Sequence, residues 1–397
     1  MEKATQYELQ LARRMSRLGT ETAFEVLNKA RALERQGKSI IHLEIGEPDF
    51  DTPANVVEAG IEALRQGWTH YAPSAGLPEL RQALAEYVSR TRGVKVASDE
   101  VVVVPGGKPI IFFTILALID EGDEVIFPNP GFPIYESMIH YVGGRAVPIP
   151  LREGRDFSLD VNELASLISD RTRLIILNSP HNPTGGVLER RELEQIAEII
   201  GDRNLMILSD EIYSRLLFDG GQHFSIMSVP GMQERTILLD GFSKTYAMTG
   251  WRMGYGVMRP DLAGHMTRLM TNSNSCTASF TQVAGIEAIR GEQSSVDHMR
   301  DEFQRRRDMF VTGLNNIKGF SCRMPKGAFY VFPNITKTGW KSKPLADTLL
   351  EQAGVAALSG TAFGEFGEGY LRFSVANSLE HLQQALELID QWTKKNL

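Results

Sequence analysis

The run Gly241-Phe-Ser-Lys-Thr-Tyr-Ala-Met-Thr-Gly-Trp-Arg-Met-Gly-Tyr255 sets one lysine, Lys244, between the hydroxyl residues Ser243 and Thr245, with Arg252 further along. It follows residues 235–240, Arg-Thr-Ile-Leu-Leu-Asp, which read as a short buried strand. A lysine amine captures an aldehyde as an imine only when deprotonated, and both desolvation and a nearby second cation disfavour its charged form. Gly250 and Gly254 leave room for a bulky group, and Arg252 offers that cation and a grip for a phosphate. Lys244 is therefore a candidate cofactor anchor. Taken alone, the same run reads as a surface lysine and a helix-capping arginine, so residues elsewhere in the chain decide.

Several candidates follow a strand-like run in the same way. Residues 205–208 lead to Ser209-Asp-Glu-Ile-Tyr213, where Asp210 and Tyr213 offer an anion and a phenol for adjacent atoms of one ring, or Asp210 caps a helix. After residues 173–177 comes Asn178-Ser-Pro-His-Asn-Pro-Thr-Gly-Gly186, whose prolines and glycines hold Asn182 as a fixed donor. After 124–127, Phe132 lies between prolines, rigid enough to stack on a flat ring, though equally a core aromatic. After 101–104, Gly106-Gly107-Lys108 opens an apolar helix with Pro109 in its first turn. That arrangement exposes backbone N–H groups to a phosphate or simply makes a tight turn. Gly46 permits close backbone approach or a turn. Tyr71 packs or reaches an anion, and Arg372, between Leu371 and Phe373, points to solvent or clamps a carboxylate.

The elements that must position these residues alternate. Helices expected over 23–36, 53–66, 79–90 and 191–200 interleave with the strands above and one over 39–45, which predicts a mostly parallel sheet in a doubly wound α/β layer with ligands at the strands' carboxyl ends. Beyond Gly291 a charged helix over 297–317, strands over 320–323, 327–332 and 370–374, and helices over 346–353 and 379–394 indicate a second unit. A chain of 397 residues exceeds the length at which single cores stop growing.

Hydrophobic content of 42% and charged content of 23% are globular values, and a net charge of −7 disfavours nucleic acid as a partner. The two cysteines, Cys276 and Cys322, form no metal-ligand pattern and suggest a reducing compartment, so no metal is expected. Residues 1–20 lack an apolar core and 109–119 is too short to cross a bilayer, so a cytoplasmic protein without membrane contact is expected.

Assembled in order, Gly46-Glu-Pro-Asp-Phe, Tyr71-Ala-Pro-Ser-Ala-Gly, Asn129-Pro-Gly-Phe-Pro, His181-Asn-Pro-Thr-Gly, Ser209-Asp-Glu-Ile-Tyr, Ser243-Lys-Thr, Gly250-Trp-Arg-Met-Gly and Leu371-Arg-Phe-Ser make the chain resemble the class I/II aminotransferases of the aspartate aminotransferase family, fold-type I enzymes that use pyridoxal 5'-phosphate. The resemblance spans residues 16–390. It implies a large domain over 47–290 with a mostly parallel seven-stranded sheet, a smaller α+β domain from 1–46 and 291–397, and a homodimer with shared sites. It also implies transfer of an amino group from an L-α-amino acid to a 2-oxo acid by a ping-pong cycle. Lys244 would hold the cofactor as an imine and shuttle the proton. Asp210 would pair with the pyridine nitrogen, Tyr213 and Asn182 would bond the phenolic oxygen, and Phe132 would stack on the ring. The phosphate would rest on Gly106, Gly107, Ser243, Arg252 and a second subunit's Tyr71. Arg372, assisted by Gly46 and Asn182, would bind the substrate carboxylate. Where many members carry Ser or Thr after the glycine pair this chain has Lys108, which takes that job or points away, and residues 271–280 contain no arginine for a second carboxylate. The latter predicts a broader, aromatic or aliphatic donor range. A β-lyase on the same scaffold is the alternative reading. An aminotransferase-like regulatory domain is more remote, because the stretch ahead of Gly46 is expected to be too short for a DNA-binding domain.

Overall fold

A computed structural model describes residues 9–397; residues 1–8, the start of the expected amino-terminal part of the small domain, lie outside the described residues. The strands are, in chain order, β1 (Ile41–His42), β2 (Val101–Val104), β3 (Glu124–Asn129), β4 (Arg145–Pro150), β5 (Thr172–Asn178), β6 (Met206–Asp210), β7 (Thr236–Gly241), β8 (Gly254–Val257), β9 (Tyr330–Val331), β10 (Val355–Ala356), β11 (Leu358–Ser359) and β12 (Leu371–Ser374). Seven form one sheet in the order β2-β8-β7-β6-β5-β3-β4, parallel except for β8, which runs antiparallel to both neighbours. Alternation along the strands sorts its two faces. Val102, Val104, Leu174 and Ile176 enter one apolar cluster, whereas Val101, Val103, Ile175 and Leu177 enter clusters on the other side. Apolar residues thus fill both faces, as a sheet wrapped by helices requires.

A further core gathers Ile41, Leu43, Phe303, Phe310, Leu345, Phe373 and Trp392, joined by Tyr213, Leu216 and Phe218 from just beyond β6. It lies beneath the antiparallel sheet β11-β12-β9, the parallel pair β1-β10 and the helices Ser294–Asn315 and Leu379–Asn396.

Differences from the sequence expectations have local causes. β4 and β8 were not foreseen. In β8, Gly254 and Gly256 are small because a Cβ on Gly254 would collide with the backbone of Gly106 and Gly107, so close packing erased the hydrophobic signal. The strand expected over 39–45 shrinks to β1, and that over 320–323 to a single bridge, Ser321 to Asn334. The helix expected over 346–353 begins earlier, as Ser342–Thr348, and ends in the wider π turn Leu349–Ala353.

Candidate active site

The carboxyl ends of the central strands open on a cavity of about 830 Å³, within the range of small-molecule sites. Gly46, Gly107, Lys108, Phe132 and Asn182 line it, as do Asp210, Tyr213, Ser243, Lys244, Arg252 and Arg372. Gly106 stands behind the wall against Arg252. Tyr71 lies outside the cavity, 88% exposed.

Lys244 is placed by the end of β7. The short helix Phe242–Thr245 buries Phe242 and Thr245, and the lysine amine donates to the Gly46 carbonyl oxygen. Burial, opposed by Glu47 and reinforced by the charges of Arg372, Arg252 and Lys108, lowers its pKa to about 8. The cation expected from Arg252 is therefore present, and two more accompany it.

Asp210 ends β6 and is 5% exposed. Its Oδ2 accepts the Tyr135 hydroxyl at 2.6 Å and its Oδ1 the Ile212 amide at 3.3 Å, so it also makes the helix-cap-like contact its sequence allowed. Burial raises its pKa to about 6 against those two donors; a buried carboxylate of this kind is stabilised by a cation. The Tyr213 and Tyr330 hydroxyls lie 2.8 Å apart. The Asn182 side-chain oxygen accepts from Arg372 at 3.3 Å, leaving its amide donors for a ligand.

At the other end of the cavity Gly106 adopts a left-handed φ of 85°, and a Cβ there would strike the Arg252 guanidinium. Gly107 caps the helix Lys108–Leu118, whose first N–H groups lack helical partners. Arg252 itself is a non-glycine residue at φ 54°, a strained conformation that gathers at functional sites. Lys108 is engaged by Glu21 and lies 5.6 Å from the centre of the Phe132 ring. Phe132 meets Tyr135 edge to face at 5.8 Å.

Arg372 leaves β12 buried, 4% exposed, and donates to the Glu44 carbonyl, yet no carboxylate side chain pairs with it among the described residues. Its Nε has no partner. Burial lowers its pKa, with the Tyr330, Tyr213 and Glu44 side chains acting in the opposite direction.

This donor set fits pyridoxal phosphate: a glycine cradle with Arg252 and Ser243 for a phosphate, Asp210 for a basic ring nitrogen, and a lysine of lowered pKa for a carbonyl carbon. Sequence reasoning missed Tyr135, Tyr330 and Glu21. Tyr135 sits three residues beyond Phe132, in the first turn of the helix Ile134–Val142, and nothing in the sequence set it apart from a core aromatic. Tyr330 was hidden in the aromatic run 327–332, which looked like core.

Residues 38–389 match the family model described as aminotransferase class I and II. The chain is 43% identical over 369 residues to the aspartate aminotransferase of Pyrococcus horikoshii, covering 92% of this chain and 93% of that one. It is 40% identical to aromatic-amino-acid aminotransferase 2 of Thermococcus litoralis over 90% of this chain and 92% of the relative. A solved aspartate aminotransferase from Thermus thermophilus, with maleate, superposes with a TM-score of 0.93 at 37% identity, over 97% of this chain and all of that one. The chain belongs to the class I and II aminotransferases and is a pyridoxal-phosphate-dependent aminotransferase.

Proposed function

We propose that Lys244, Asp210, Tyr213, Asn182, Phe132 and Arg372 carry the transamination of L-α-amino acids in this cavity, with Gly106, Gly107, Ser243 and Arg252 seating the phosphate. The observation that carries the reading is Arg372, a buried guanidinium with an unused Nε and no carboxylate ion pair among the described residues. Such a group is stabilised by a bidentate carboxylate, and every α-amino acid and 2-oxo acid brings one.

When bound, pyridoxal phosphate supplies an electron sink that stabilises negative charge at the substrate α-carbon. Asp210 keeps the ring nitrogen protonated, and Tyr213 and Asn182 donate to the phenolic oxygen. Arg372 orients the substrate by its carboxylate. Lys244, whose pKa is lowered to about 8, would take the proton from the substrate α-carbon and return it to the cofactor carbon on the far side of the nitrogen.

The charge of Lys108 is spent on Glu21, and residues 271–280 hold no arginine. Both features support a donor range wider than dicarboxylates, in keeping with relatives named for aspartate and for aromatic amino acids. The exposed Leu64, Trp68 and Tyr71 support a homodimer in which Tyr71 completes the phosphate site of a second copy. The core drawn mainly from 41–43 and 299–392, with Tyr213, Leu216 and Phe218 joining it from the other side, supports a small domain of 1–46 and 291–397 beside a large domain of 47–290. The two free thiols support a cytoplasmic location, and no helix among the described residues is long and apolar enough to cross a membrane.

The test is a single-turnover absorbance scan of the loaded protein with amino acids added one at a time and no oxo acid. Conversion to the amine form of the cofactor is expected, and the fastest donors define the substrate class. Release of ammonia and an oxo acid with return of the original spectrum would favour the β-lyase reading. Lys244→Ala should lose the lysine-linked chromophore and transaminate at least roughly 10²- to 10⁴-fold more slowly; substantial turnover by that variant would defeat the assignment.

A further inference from the structure

β9 and β12 run antiparallel with Tyr330 opposite Ser374. Ser374 shares a face with Arg372, two residues before it, so Tyr330 and Arg372 are diagonal neighbours. The guanidinium lies 4.5 Å from the centre of the Tyr330 ring. The Tyr330 hydroxyl contacts Tyr213 at 2.8 Å and occupies the space a Cβ on Gly46 would need. Three parts of the cavity thus meet at one buried phenol. We propose that Tyr330 is a positioning residue: it donates its proton to the Tyr213 oxygen, so that the Tyr213 proton is directed at the ligand, and Arg372 sets the polarity of the pair.

The proposal rests on the role given above to Tyr213. Burial raises both phenols above their ordinary values, so both keep their protons. One oxygen–oxygen contact accommodates one proton, and the other must serve elsewhere. The Arg372 charge works against burial at both phenols, but its guanidinium lies 4.5 Å from the centre of the Tyr330 ring, and that proximity makes Tyr330 the readier donor. Donors aligned in one direction strengthen one another. A donor on the cofactor's phenolic oxygen draws away the electrons that hold the neighbouring shared proton, so a weakened donor lets that proton persist to higher pH.

Tyr330→Phe removes the hydroxyl and keeps the ring. In pyridoxal-phosphate-loaded protein, the pH midpoint of the lysine-linked chromophore should rise by about 0.1–0.3 unit, the share of one hydrogen bond that alignment of donors supplies. In a Tyr213→Phe background the same substitution should add no shift, which keeps the question answerable if the single variant binds cofactor poorly. An unchanged midpoint in Tyr330→Phe, or a full additional shift in the double variant, would overturn the proposal while leaving the aminotransferase reading intact. A wild type without the chromophore would overturn both.

Discussion

Arg92 and Arg372 are buried to nearly the same depth, 6% and 4% exposed, in opposite surroundings. Arg92, at the end of the helix Pro78–Arg92, reaches Glu211 at 2.9 Å and Asp240 at 2.8 Å. Those carboxylates are shared in turn with Ser209, Ser225, His223 and Ser214. Although burial works against its charge, Glu211 and Asp240 push its pKa above the ordinary value. Arg372 has backbone and amide acceptors but no carboxylate ion pair among the described residues, and burial pulls its pKa down. The same residue type at the same depth is in one place ion-paired in a closed cluster and in the other held by an amide and a carbonyl oxygen. The cluster is close to the chemistry: Glu211 follows Asp210, and Asp240 lies four residues before Lys244, so it anchors both strand ends without entering the cavity.

Substitutions at the two positions should separate stability from activity. Arg92→Leu strands two buried carboxylates and should cost about 3–5 kcal/mol, read as a lower denaturant midpoint. Glu211 adds a pH signature. Despite burial, the charges of His223 and Arg92 hold its pKa down to about 2. A carboxylate held below its unfolded value stabilises the fold above that unfolded value, and the stabilisation is lost as pH falls toward 2. Arg92→Leu should therefore cost most near neutral pH, with the cost shrinking as pH falls from 4.5 toward about 2, and a cost independent of pH would mean that Arg92 does not hold Glu211.

Arg372→Leu is expected to do the reverse. It removes a buried charge that has no acid partner, so the denaturant midpoint should hold or rise. The loss of a desolvated carboxylate contact, about 2–5 kcal/mol, should lower kcat/KM roughly 30- to 4,000-fold. Arg372→Lys should restore only part, because an ammonium cannot make the bidentate contact. An Arg372→Leu protein that unfolds easily but turns over normally would invert the comparison.

How far each arginine was legible from sequence follows from the same contrast. Arg372 stood out because it broke the apolar run Leu371-Arg-Phe and because a known family pattern gave it a ligand. Arg92 ended an ordinary charged helix, and nothing nearby in sequence announced Glu211 or Asp240 as its partners; long-range pairing has no local signature. The central strands were readable since burial on both faces makes continuous runs such as Val101 to Val104, whereas β8 was not, because contact with Gly106 and Gly107 demanded glycine. Asp210, Lys244 and Asn182 were singled out through strand-end position, and they line one cavity. Tyr135 and Tyr330 were missed because a buried phenol and a core aromatic look alike until the hydrogen-bond partner is known.

The smallest expected effect tests whether the two arginines differ electrostatically at the reacting amine. Burial is the leading cause of the lowered Lys244 pKa, Glu47 opposes it, and Arg372 is the largest of the cations that add to it; Arg92 is not among the leading charges there. Because the neutral amine is the nucleophile, cofactor-free protein should take up pyridoxal phosphate faster as pH rises through about 8 and then level off, well before the ordinary lysine value of 10.5. Arg372→Leu removes one cation and should move that midpoint upward, by less than burial moved it down. Arg92→Leu, in whatever fraction remains folded, should leave it in place. Stopped-flow absorbance across pH reads both variants. A midpoint that follows Arg92 and ignores Arg372 would mean that the ion-paired cluster, rather than the cavity arginine, tunes the lysine.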